Sequence, residues 1–139
     1  MERKIHFGKT SREGLMKGIN KLADAVVSTL GPNGRNAVIF RGSAEFPIST
    51  KDGVTVAKNI VLADPQEELG VLLIKQAAVK TAEKAGDGTT TSTLLAREMV
   101  EGGLTALDNK ENAVQIKRDI DNTVKEVVKN LQKHISQDI

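Results

Sequence analysis

Residues 86–94 read GDGTTTSTL, and the helix they open decides how the rest of the chain is read. Two glycines flank one acid, three threonines follow in file, and an apolar run begins at Leu94 and Leu95. A helix start leaves four backbone N–H groups without acceptors and carries partial positive charge, so it attracts phosphate. Gly86 and Gly88 permit positive φ and close backbone approach. Thr89, Thr90 and Thr91 each add a hydroxyl donor. Asp87 repels phosphate unless a divalent ion such as Mg²⁺ sits between them and takes the carboxylate and phosphate oxygens together. Alone, the stretch also fits a plain capped helix after a glycine turn. It is no Walker A loop, because no Gly-Lys-Ser/Thr closes it.

Working outward, the pattern downstream predicts a helix over about 90–107 and a last one over about 111–136. The second carries the stripe Ala113, Ile116, Ile120, Val124, Val127, Leu131 and Ile135. Lys117, Arg118, Asp119, Asp121, Lys125, Glu126 and Lys129 read as its solvated face. Upstream, Asp64-Pro65-Gln66-Glu67 combines an acidic cap with proline in the first turn, predicting a helix over about 66–85. That helix is apolar on most sides around Leu69–Ala78, the pattern of a helix buried between layers or against a partner.

Earlier still, Thr10 and Glu13 have capping-box spacing before a stripe of Leu15, Ile19, Leu22, Val26 and Leu30, which Gly31-Pro32 ends. Between the helices lie candidate strands at 37–40 and 46–49, a further short one at 3–7, and a short helix through Val54, Val56 and Ala57 capped by Asp52. The expectation is a mainly α, multihelical bundle with a small β-hairpin element.

Composition agrees. The 139 residues are 39% hydrophobic and 27% charged, with three Phe and no Tyr or Trp, so the core must be aliphatic. A net charge of +2 with interspersed signs, and few aromatics for base stacking, argue against a nucleic-acid binder. Without cysteine there is no disulfide, thiol nucleophile or thiolate metal site. His6 and His134 lie far apart and make a poor metal pair. Asp24 reads as a pairing or solvent-side acid. No apolar run suits a membrane span or a secretory leader, so a soluble, cytoplasmic setting is the expectation.

Two more loops resemble the first in chemistry. Thr29-Leu30-Gly31-Pro32-Asn33-Gly34-Arg35 ends the first helix with exposed backbone and a cation nearby. Thr50-Lys51-Asp52-Gly53 sets a lysine, an acid and a glycine at another helix start. Lys51 can meet a phosphate as a point charge, and Asp52 could polarise a water. Each loop alone also fits an ordinary turn, and Arg35 a surface cation.

The three motifs TLGPNGR, TKDGV and GDGTTT, in this order and at these separations, resemble the group I chaperonins, the Hsp60 or GroEL family. The likeness runs along essentially the whole chain, including GINKLADAVVSTLGP and QIKRDID. It implies residues 1–136 to be the N-terminal portion of an equatorial ATP-binding domain, with 137–139 starting the connection to an intermediate domain. It further implies an ATPase subunit that assists protein folding, in a ring homo-oligomer with unfolded clients and a co-chaperonin held by an apical domain. No nucleic acid or membrane partner is implied.

Thr29, Leu30, Gly31 and Pro32 would line the nucleotide pocket, and Lys51 and Gly53 would lie near the phosphates. Asp87 would ligate Mg²⁺, with K⁺ a further candidate ion. Gly88, Thr89, Thr90 and Thr91 would wrap the phosphates, and Asp52, the one catalytic candidate, would help position the hydrolytic water. The second reading is a truncated, non-enzymatic module that assembles with or modulates a full-length ring. The pattern departs from the family at Glu68–Leu73, which is more apolar, and at Asp108–Asn112, which stands where Gly, Asn and Pro are usual.

Overall fold

A computed structural model describes residue 5, residues 7–40, residue 42 and residues 45–135. They form α1 (Gly8–Val27), β1 (Ala37–Ile39), β2 (Ile48–Thr50), α2 (Gly53–Asn59), α3 (Pro65–Ala85), α4 (Thr89–Asp108) and α5 (Ala113–His134). The chain divides into two compact units, one reaching Glu98 and one beginning at Met99, with α4 contributing its first half to one and its second half to the other.

In the first unit α1 packs along α3, and the reason is small residues. A Cβ on Gly18 would lie 1.8 Å from the Glu67 carbonyl oxygen, and one on Gly70 would lie 2.1 Å from that of Leu15. Backbone therefore meets backbone where the helices cross. Ile19, Leu22 and Val26 of α1 close over Val71, Ile74 and Ala78 of α3, and Val56 and Ala57 of α2 complete the core. Lys21 and Glu67 pair at 2.5 Å over this contact.

Side-chain caps fix three helix starts, two of them, at Asp64 and Asp52, as the sequence suggests. Asp64 accepts from the amides of Gln66 and Glu67, Asp52 from those of Val54 and Thr55, and Asn112 from those of Val114 and Gln115. The Thr10 capping box is a correction: α1 already begins at Gly8, its N-cap is Phe7 and no side chain caps it. Thr10 lies in the first turn, three residues past the N-cap position from which a side chain caps the helix. At its other end α1 stops at Val27, and Thr29 and Leu30 continue only as a tighter turn onto the carbonyls of Val26 and Val27.

The hairpin pairs β1 and β2 antiparallel with Val38 opposite Ser49. The second strand begins two residues later than the apolar pattern suggests, because Thr50, rather than Phe46, finds a partner (Ala37) across the ladder. Ala37, Ile39, Ile48 and Thr50 are half-buried while Val38 and Ser49 are exposed, so one face lies on the core. The strand proposed at 3–7 and the connection at 137–139 fall largely outside the described residues. His6 does too.

Of the two readings of α3, burial between layers does not hold within this chain. Only Gly70, Val71, Ile74 and Ala78 are buried, while Leu69, Leu72 and Leu73 stay about half exposed. The apolar surplus lies on the side away from α1.

In the second unit, the end of α4 and the start of α5 enclose an apolar groove of about 300 Å³, lined by Met99, Leu104, Leu107, Ile116 and Ile120 among others. The α5 stripe forms as a helix, yet no described residue of α5 is buried. Its charged face is solvated as expected, with Lys117 and Asp121 at 3.5 Å.

The turn between α4 and α5 closes by amide bonds from Lys110 to the Leu107 carbonyl and from Glu111 to that of Ala106. This pattern places Lys110 in the left-handed region, at φ 67°. A left-handed side chain costs roughly 1–2 kcal/mol, part of which glycine's extra unfolded-state freedom gives back. Lys110→Gly is therefore expected to raise the unfolding free energy by about 0.5 kcal/mol, read as a small rise in Tm.

Candidate functional site

Three element ends of the first unit meet at one pocket of about 290 Å³ with a mainly polar lining. Its walls are Thr29, Leu30 and Gly31 after α1, then Lys51, Asp52 and Gly53 between β2 and α2. Residues 86–91, from Gly86 to Thr91, connect α3 to α4 and form the remaining wall. The 20 or more residues separating the motifs in sequence are bridged by the hairpin and α3, which return the chain to one place.

The α3–α4 connection is short because both its glycines are left-handed, at φ 73° for Gly86 and φ 78° for Gly88. Gly86 ends α3, its amide bonded to the Ala82 carbonyl. Asp87 is exposed between them, and its carboxylate accepts from the Gly88 amide at 2.6 Å. The first-turn amides of α4, at Thr89, Thr90 and Thr91, have no intrahelical acceptor. Thr93 is fully buried under this turn and donates to the Thr89 carbonyl at 2.9 Å.

Hydroxyls link two of the walls. Buried Thr29 donates to the Val26 carbonyl at 2.7 Å, which uses its single proton. Thr90, 3.5 Å away, is then the donor to Thr29. Gly53 makes room for this contact: a Cβ there would lie 2.5 Å from Thr90 Oγ1. The glycine of TKDG thus sets how closely α2 approaches α4.

Asp52 has two commitments. Its Oδ1 accepts from the Val54 amide at 3.3 Å, and its Oδ2 from the Thr55 amide at 3.0 Å and from the Thr55 hydroxyl. The Thr55 hydroxyl bond, foremost, and the two amides hold the carboxyl below its ordinary 3.8, against a smaller opposing push from burial. A group held below its unfolded value stabilises the fold above that value and loses the contribution as pH falls through the folded one. The acid limb of stability, below about pH 4, should therefore be less steep in Asp52→Asn, which keeps a capping oxygen without a charge. Thermal melts between about pH 3 and pH 5 measure it.

All the sequence-derived site residues except Pro32 line the pocket, and Gly86 joins them. Pro32 and Arg35 are exposed and outside the lining, because the loop folds on itself through the Arg35 amide and the Ser28 carbonyl. The symmetry of Gly-Asp-Gly was the signal for Gly86. The Thr55 hydroxyl, three residues beyond Asp52, was legible as capping spacing and was missed.

A pocket with one lysine, hydroxyls, helix-start amides and left-handed glycines suits a polyphosphate, and its size suits that part of a nucleotide. Among the described residues, no group of three or more His, Cys, Asp or Glu could hold a metal. A cation here would rest on Asp87 and complete its shell with phosphate oxygens and water, the usual manner of Mg²⁺. The donor set fits such an ion. No helix among the described residues is long and apolar enough to cross a membrane.

Residues 22–139 match the model of the TCP-1/cpn60 chaperonin family. The chain is 46% identical over 133 residues to a chaperonin GroEL of Mycoplasma pneumoniae, covering 96% of this chain and 24% of the relative. It is 50% identical over 130 residues to the chloroplastic chaperonin 60 subunit alpha 2 of Arabidopsis thaliana, covering 94% and 22%. The chain thus spans about a quarter of the length of these curated relatives. Among solved structures it is similar to the chaperonin gp146 from bacteriophage EL 2 (Pseudomonas aeruginosa), determined in the presence of ATP-BeFx. The TM-score there is 0.74 at 36% identity, over 91% of this chain and 22% of that one.

Proposed function

The chain belongs to the TCP-1/cpn60 chaperonin family, and from that footing we propose that it is the nucleotide-holding part of an ATP-dependent, ring-forming chaperonin that assists protein folding. The observation that carries this reading is the convergence of three phosphate-type loops on one polar pocket. The phage relative determined with ATP-BeFx supports it.

In this reading Thr89, Thr90 and Thr91 offer first-turn amides and hydroxyls to the phosphates, and Gly88 lets the backbone approach. Lys51 offsets phosphate charge, while Thr29, Leu30, Gly31 and Gly53 shape the remaining wall, with Pro32 holding the turn behind it. Asp87 holds Mg²⁺, which supplies charge neutralisation and a fixed orientation of the phosphates. Asp52 orients the attacking water through the lone pair that its capping bonds leave. Its lowered pKa makes it a weak base at neutral pH, so it directs the water rather than deprotonating it. The remaining three quarters of the relatives' length would supply the ring contacts, client binding and co-chaperonin docking.

Calorimetric titration of the protein with ATP in Mg²⁺ buffer tests the proposal. Micromolar binding that EDTA abolishes is the expected result. Absence of heat at millimolar nucleotide overturns it and leaves a non-enzymatic assembly module as the reading.

A further inference from the structure

The head of α4 carries three of the pocket's residues, Thr89, Thr90 and Thr91, yet it is docked on the first unit with little apolar anchorage. Within that unit its buried residues are Thr89 and Thr93, and Ala96 packs against the core edge. Leu95 is exposed. A buried leucine contributes about 1.5–3 kcal/mol, and no leucine of α4 is fully buried among the described residues. Leu94 is half-buried, so polar ties share the placement with a modest apolar contact.

Two such ties leave α4 from one stripe. Thr90 reaches Thr29 at the pocket, and Arg97, seven residues or two turns along, reaches α1 again. Arg97 Nη1 donates to Asp24 Oδ1 at 2.9 Å, while its Nη2 and Nε hold Glu98 Oε1 at 2.9 and 3.0 Å. The Arg97 side chain is only 20% exposed, although Asp24 is 72% exposed. The guanidinium is thus packed in place, its Nη2 and Nε held by Glu98, and its remaining Nη1 reaches Asp24 in a fixed direction. Asp24 stands five residues before Thr29, so the pair joins the two helices whose ends form facing walls of the pocket.

We propose that Arg97 is a positioning residue: through Asp24 it fixes the distance between the Thr89–Thr91 turn and the Thr29–Gly31 bend, and so sets nucleotide affinity. The inference rests on the nucleotide reading above. Neither side chain lines the pocket, so the effect on the ligand is indirect and small.

The test is a double-mutant cycle on Arg97→Gln and Asp24→Asn in the full-length protein, reading binding of a fluorescent ATP analogue with Mg²⁺ alongside Tm. Each single variant is expected to bind about threefold more weakly, and the double variant no more weakly than either single. Arg97→Lys, which keeps the charge without the fork, should fall between wild type and Arg97→Gln. High salt should erase the difference between wild type and variants. Variants that bind as tightly as wild type, whatever their Tm, overturn the inference and leave the nucleotide reading standing. Additive losses overturn it equally, since the two side chains would then act apart. A wild-type protein that binds no analogue overturns the nucleotide reading, and the positioning role with it.

Discussion

Asp87→Ala should lower Mg²⁺-dependent phosphate release by the full-length protein about 100-fold or more, with the fold intact. The carboxylate is exposed, and its hydrogen bond is to the next residue's amide in its own turn. Removing it leaves the left-handed glycines, the helix start and the core untouched. What changes is charge. Without Asp87 the pocket keeps Lys51, Asp52 and the helix-start dipole but loses the carboxylate that, in the proposed reading, would retain the cation. Lewis-acid stabilisation by a bound metal is worth several kcal/mol, and about 3 kcal/mol is two decades in rate. Steady-state phosphate release across a Mg²⁺ titration checks it. Asp87→Asn, which keeps one oxygen, should need more Mg²⁺ to reach its maximum. Turnover unchanged in Asp87→Ala would remove the metal role from this residue.

Much of this pocket was legible before any coordinates, and the reasons are local. Asp52 and Asp64 announce helix starts through spacing that acts within one turn, and Gly86 and Gly88 mark the left-handed bend for the same reason. The chemistry of each loop therefore sits in a few adjacent letters. What no local pattern carries is which loops meet. That depends on Gly18 and Gly70 letting α1 and α3 touch, and on Gly53 yielding space to Thr90, contacts between residues 37 to 55 positions apart. The family resemblance supplied the meeting; periodicity did not. For α3, periodicity left open whether another layer or a partner covers the greasy face, since an apolar stretch such as Leu69–Leu73 records that a face is greasy and not what lies on it. Thr10 failed for a related reason: a capping pattern competes with whatever starts the helix earlier, here Gly8.

Gly18→Ala should destabilise the protein by about 3 kcal/mol, near the upper end for an overpacked core position. The added carbon would meet the Glu67 carbonyl oxygen at 1.8 Å and its carbon at 2.6 Å, both in α3 backbone. No rotamer change can relieve that. The helices must separate, which loosens Ile19, Leu22 and Val26 against Val71 and Ile74 and opens voids along the core. Gly102→Ala is the control. Nothing lies within 4 Å of its added carbon, and alanine is the better helix former, so stability should rise by about 0.5–1 kcal/mol. Denaturant midpoints of the two variants should move in opposite directions. Equal shifts would mean that the crossing is looser than backbone contact.

The oxygens that stitch the first turn of α2 also face the pocket. An occupant has one lone pair that Val54 and Thr55 leave, and anything that draws on more must take it from them, so a demanding resident in the cleft competes with the first turn of a seven-residue helix. That helix in turn holds Val56 and Ala57 in the hydrophobic interior. News of an occupant can therefore reach the centre of the first unit through a single side chain, without any lever or hinge between them.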